Sequence, residues 1–156
     1  MAFSRRLMLW MVPGATVAVP MGALLFPAPA TAAQVNAEDG VAVRGTDVVA
    51  YVTDGRPVPG RREFTHQWQG ATWRFASAAN RDRFAADPAR YAPAYGGFCA
   101  YAVSEGYTAP IDPAAWRIVD GRLFLNYDRS VQRRWERDIP GRVARADANW
   151  PRLSAQ

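Results

Sequence analysis

One cysteine, Cys99, stands alone in 156 residues, and it is accompanied by one histidine, His66. No disulfide can close within such a chain, and a zinc site of four Cys or His ligands cannot be assembled from it. A small domain without either staple must be held by its own apolar core. The residues for one are present: hydrophobic side chains make up 49% and aromatics 12% of the sequence. Trp68, Trp73, Tyr91, Tyr95, Tyr101, Tyr107 and Trp116 are accordingly read mostly as core.

The first 32 residues lower the soft-ligand count further. A basic pair, an apolar stretch and small residues ending at Ala30-Thr31-Ala32 have the three-part layout of an export signal. Pro13, Gly14, Thr16, Pro20 and Gly22 interrupt the apolar part, so it does not read as a membrane span, and none is expected once the signal is removed. Ser4-Arg5-Arg6-Leu7-Met8-Leu9 is similar to a twin-arginine signal, the alternative being a general-secretion signal that starts with two arginines. The expectation is a periplasmic or secreted protein, with residues 1–32 as signal and 40–152 as one domain. All four methionines (Met1, Met8, Met11 and Met21) would leave with the signal, which excludes a methionine-rich copper site. The basic excess is entirely arginine, in runs no longer than two and interspersed with acids. That pattern is not a nucleic-acid footprint, and no nucleic-acid partner is expected.

Along the remaining chain, residues 33–40 read as a polar lead-in. In TDVVAYVTDG, Asp47 is a plausible cap before Val48, Val49 and Tyr51, and either a short helix or a strand fits. RPVPGRRE reads as loop. Phe64, His66 and Trp68 alternate, Gln69-Gly70 turns, and Ala71, Trp73 and Phe75 resume the period of two, which predicts a hairpin. Ser77 caps a helix that turns Phe84 inward and breaks near Asp87-Pro88. A second hairpin is predicted around Asp120-Gly121 in WRIVDGRLFLNY. Val131 and Trp135 mark an amphipathic helix stopped by Pro140, and residues 142–153 a closing helix that docks Val143 and Trp150. The fold class expected is α+β: a small single domain with two β-hairpins and several short helices.

Chemistry converges on YAPAYGGFCAYAVSEG, residues 91–106. Gly96 and Gly97 allow close backbone approach or positive φ beside the sulfur of Cys99. Tyr95 and Tyr101 lie within four residues of it, placing their hydroxyls where they could bond a thiolate or a substrate. His66 points inward with Phe64 and Trp68; beside Cys99 it would lower the thiol pKa or add a second soft-metal ligand, and otherwise it is a core residue. No Gly-x-Ser-x-Gly elbow and no phosphate-cradling glycine loop occurs.

Residues 68–104, WQGATWRFASAANRDRFAADPARYAPAYGGFCAYAVS, resemble the YHS domain, a metal-associated module found beside copper-transporting ATPases and in some multicomponent oxygenases. The hairpin at Gly70–Phe75, the helix with Phe84 and the Asp87-Pro88-x-x-Tyr91 end carry the resemblance. Beyond them, residues 95–127 and 130–151 resemble a longer exported subfamily, in which some members carry selenocysteine at the position of Cys99. The resemblance implies a YHS, treble-clef-like core followed by C-terminal helices. In the metal-binding version two cysteines follow the hairpin; those positions are Ala76 and Asn80 here, so the pair is absent. Three functions then follow as expectations. The first is metal handling, copper favoured, with Cys99 and His66 as ligands, or two Cys99 residues shared in a homodimer. The second is thiol redox chemistry with Cys99 as nucleophile and an external thiol as partner. The third is an interaction module without catalytic chemistry.

Overall fold

The alternation at Phe64, His66 and Trp68 builds the strand it predicts. In the computed structural model, which describes residues 34–156, β3 (Arg61–Trp68) pairs antiparallel with β4 (Ala71–Phe75), placing His66 opposite Trp73 and Trp68 opposite Ala71. Gln69 and Gly70 have φ of 48° and 75°, the two positive values a tight two-residue hairpin turn requires. The export signal read over residues 1–32 lies outside the described residues.

The polar lead-in is more structured than its composition suggests. It forms β1 (Ala37–Glu38), and just beyond it β2 (Val41–Ala42) runs parallel to β4 through Val41 and Thr72, giving a four-stranded sheet of order β1-β2-β4-β3. Elements begin at Ala37, before the expected boundary at residue 40. Two-residue strands show no periodicity, which is why the sequence reads as loop there. Likewise β3 starts at Arg61 inside the expected loop, with a bulge between Arg61 and Thr65.

Of the two alternatives left open for TDVVAYVTDG, the helix forms, as α1 (Ala50–Thr53). Ser77 caps α2 (Ala78–Ala86) by accepting from the Asn80 amide at 3.1 Å, and Asp87 ends it and caps α3 (Pro88–Tyr91). Phe84 is fully buried among the rings of Trp73, Phe75 and Trp68, the centre of a first core. A second core lies under the C-terminal half. There α4 (Ala100–Glu105) packs on α6 (Ile139–Leu153), over Phe124 from the hairpin of β5 (Asp112–Val119) and β6 (Arg122–Asn126). Asp120 and Gly121 turn that hairpin at φ of 49° and 76°. Asp128 caps α5 (Arg129–Glu136), which buries Trp135 completely. The closing helix starts at Ile139 rather than Arg142. Pro140 sits in its first turn, where the missing N–H has no intrahelical partner to lose, and Asp138 caps it.

The fold is therefore α+β as expected: a four-stranded mixed sheet, a separate hairpin and six α-helices among the described residues. None of those helices is long and apolar enough to cross a membrane.

Candidate functional site

Cys99 occupies the position just before α4, its amide bonded to the Ala109 carbonyl at 3.0 Å and its carbonyl accepting from Val103 at 3.0 Å. The residue is 1% exposed and belongs to the first core. At the end of β6, Asn126 is also fully buried. Its Oδ1 accepts from the Tyr101 amide at 3.2 Å and lies 3.8 Å from the Cys99 Sγ. The Tyr101 N–H fixes the orientation of the carboxamide, because turning it over would set two donors against each other. An oxygen facing sulfur favours the thiol that donates to it over a thiolate. Burial pushes the Cys99 thiol up from its ordinary value, and the charge of Asp128 adds to this. The backbone N–H groups of Ala102, Tyr127 and Tyr101 oppose it without reversing it. Cys99 is therefore a neutral thiol at pH 7.

Cys99 nevertheless borders open space. A cavity of about 320 Å³ is lined by Cys99, Tyr101, Ala102, Tyr107, Ala109, Tyr127, Val131 and Arg134. Tyr107 and Tyr127 are each 53% exposed and, with Val52, are the large apolar side chains left most open among the described residues. Two of these three border one cavity. Sequence reasoning assigned Tyr107 to the core and passed over Asn126, Tyr127 and Arg134. No local pattern marks them, since they come from three separate elements and loops.

The remaining expected site residues are placed elsewhere. His66 is half-buried with its ring 6.0 Å from that of Phe84, and it does not line the Cys99 cavity. Tyr95 turns away from the sulfur: its hydroxyl donates to Asp147 Oδ1 at 2.8 Å, and Arg122 holds the same carboxylate with two bonds. Tyr101 does line the cavity, with the guanidinium of Arg142 stacked 4.2 Å from its ring centre. The positive φ of Gly96 and Gly97 serves a different neighbour. Their carbonyls accept from the amide and side chain of Asn36 at 2.9 and 3.0 Å. A Cβ on Gly96 would strike the Gln34 carbonyl, and one on Gly97 would strike Val43. The pair receives the incoming chain rather than the thiol.

The positions of the missing cysteine pair are filled by a hydrogen-bond network. Asp47 is fully buried. Its Oδ1 accepts from the amides of Val49 and Ala50 at 2.9 and 3.2 Å, and its Oδ2 accepts from the Ala76 amide at 2.9 Å and Asn80 Nδ2 at 2.8 Å. Copper fits poorly here, because both carboxylate oxygens are already engaged and no sulfur is present. At Cys99 the nearest side-chain donor is a hard amide oxygen, and no group of three or more His, Cys, Asp or Glu residues gathers among the described residues. A site shared by two copies needs each sulfur at a surface, whereas this one is 1% exposed.

Comparison with curated proteins and with solved structures gives no match. Comparison with family models gives one, over the segment that contains Ala76 and Asn80 and stops short of Cys99. Residues 49–95 match the YHS domain.

Proposed function

We propose that the protein is a non-catalytic binding module whose ligand enters the cavity above Cys99. The observation that carries this reading is the pairing of two half-exposed tyrosines, Tyr107 and Tyr127, over one apolar cavity floored by a neutral, buried thiol. Leaving such rings in water costs free energy that a bound apolar surface recovers. Arg134 at the rim belongs to none of the ion pairs among the described residues. The ligand class is thus a small amphiphile: an apolar body between the tyrosines and an acidic group toward Arg134.

The test uses 8-anilinonaphthalene-1-sulfonate, which has that shape, titrated against the native protein. Saturable binding is expected, weakened roughly tenfold or more by Ala109→Phe, which fills the cavity, and by Tyr107→Ala. A ligand-bound protein should also lose what reactivity Cys99 shows toward a disulfide reagent. Binding that ignores both substitutions would overturn the reading. So would tight stoichiometric copper(I) binding lost in Cys99→Ser, which would restore the metal-handling function that the family resemblance implies.

The thiol-redox reading keeps one specific support, the backbone N–H groups of Ala102, Tyr127 and Tyr101, which act to lower the thiol pKa against its burial. It requires Asn126 Oδ1 to move away before a thiolate forms. Rapid sulfenic acid formation with hydrogen peroxide in the native protein would favour it.

A further inference from the structure

Away from Cys99, three arginines meet at a polar cavity of about 460 Å³ on the four-stranded sheet. Arg44, Arg62 and Arg74 line it together with Glu38, Asp39 and Val41. None of the three arginines, and neither acid, belongs to an ion pair among the described residues. Three cations against two carboxylates leave the lining with an excess positive charge.

The position of Arg74 is built. It projects from the central strand β4, beside Gly45 and Gly60, which are joined by a 2.8 Å backbone hydrogen bond. A Cβ on Gly60 would collide with the Arg74 backbone, whereas one on Gly45 would only touch its side chain, 3.5 Å from Cδ and 3.6 Å from Nη1. The Nε of Arg74 is buried and has no hydrogen-bond partner. A buried donor without an acceptor is unfavourable, and a shift of the side chain toward the cavity would bring it within reach of one. Arg44 is held by backbone in a conformation its neighbour resists: Val43 and Arg44 have φ of 42° and 58°, and a β-branched residue rarely adopts such a value. The surroundings impose it, since the Val43 amide is bonded to the Asn36 carbonyl at 2.9 Å. Strain of this kind collects where a side chain must be aimed. Arg44 has one described hydrogen bond, from Nη1 to the Ile111 carbonyl at 3.5 Å, and it also lines a second cavity with Asp112 and Pro113, so it must turn its remaining donors to serve this one.

We propose that this cavity binds a small molecule through a phosphate or carboxylate group, with Arg74 as the central donor and Arg44 and Arg62 as flanking ones. Guanidinium forks match both oxyanions with paired hydrogen bonds. The cavity exceeds a lone phosphate in volume, which calls for a ligand with more than one anionic group or a larger body. Glu38 and Asp39 line it too, where they repel the ligand and limit its affinity.

Calorimetric titration of the full chain at low salt, with inorganic phosphate, pyrophosphate and citrate as separate probes, tests this. Pyrophosphate or citrate should bind more tightly than phosphate; which of the two leads separates a phosphorylated ligand from a carboxylic one. Arg74→Met should weaken binding roughly ten- to a hundredfold. Arg62→Met, an exposed change that spares the fold, should weaken it roughly tenfold. Glu38→Gln with Asp39→Asn should tighten it, and Cys99→Ser should leave it unaltered. The proposal fails if no probe binds, if Arg62→Met and Arg74→Met both bind like the native chain, or if neutralising the two acids weakens binding.

Discussion

Asp47 combines full burial with four hydrogen bonds, two from its own α1 turn and two from residues about thirty positions away. Its carboxylate therefore ties α1 to the end of β4 and the start of α2. Asp47→Asn keeps the shape but points an N–H₂ group at donors, whichever way the amide turns. It is expected to lower unfolding stability by about 3 kcal/mol in urea, with Asn80→Ala costing about half as much. A loss under 1 kcal/mol for Asp47→Asn would show that the network does not hold the elements together. Only half of this role is legible in the sequence. Asp before Val-Val-Ala marks a cap, but nothing local announces that its second oxygen reaches Ala76 and Asn80. Cys99 behaves the same way, since its defining neighbour, Asn126, is supplied by a strand 27 residues later.

At the scale of elements, Tyr95 joins the turn before α4 to α6. Burial and its bond to Asp147 push the phenol well above its ordinary value, and burial does the same for Tyr51, whose hydroxyl donates to the Pro113 carbonyl at 2.7 Å. Hydrogen bonding to Arg122 holds Asp147 below the usual carboxylate range. For the tyrosines the folded value lies above the unfolded one. Their contribution is complete below the unfolded pKa of about 10 and declines as pH rises through the folded value. For Asp147 the contribution is present above the unfolded carboxylate pKa and is lost as pH falls through the lowered one. That part is small and salt-sensitive, because both partners are nearly half exposed. Stability measured by urea at a series of pH values should thus fall above about pH 10, and Tyr95→Phe should flatten that fall. An unchanged alkaline limb in Tyr95→Phe and Tyr51→Phe would contradict the assignment. Hairpins and helix caps were the readable elements here, because alternation and capping are local rules. Gly96-Gly97 misled for the opposite reason: the partner they accommodate, Gln34–Asn36, lies about sixty residues upstream.

At the scale of the molecule, the segment that matches the YHS domain supplies only part of its own core. The first core, whose aromatic centre lies within residues 49–95, is completed by Ala42, Val43 and Val48 before it and by Cys99, Ala102, Ile111, Leu123 and Leu125 after it. A peptide of residues 49–95 is expected to lack dispersed amide proton resonances and a cooperative melt, whereas residues 34–156 should show both. A folded short peptide would mean that the flanking residues only decorate the core. The same closure brings Gln34 to the end of α6, where its amide donates to the Ser154 carbonyl at 3.3 Å. Order along the chain is therefore expected to be separable from shape. A rearranged chain with a short linker from residue 156 to residue 34, reopened between Asp120 and Gly121 where a Cβ meets nothing within 4 Å, would retain both cores. Circular dichroism of such a permutant should overlay that of residues 34–156 in their natural order. The free ends would then leave from the turn between β5 and β6, so a probe could be tethered there without lengthening any loop that lines the cavity above Cys99 or the arginine cavity.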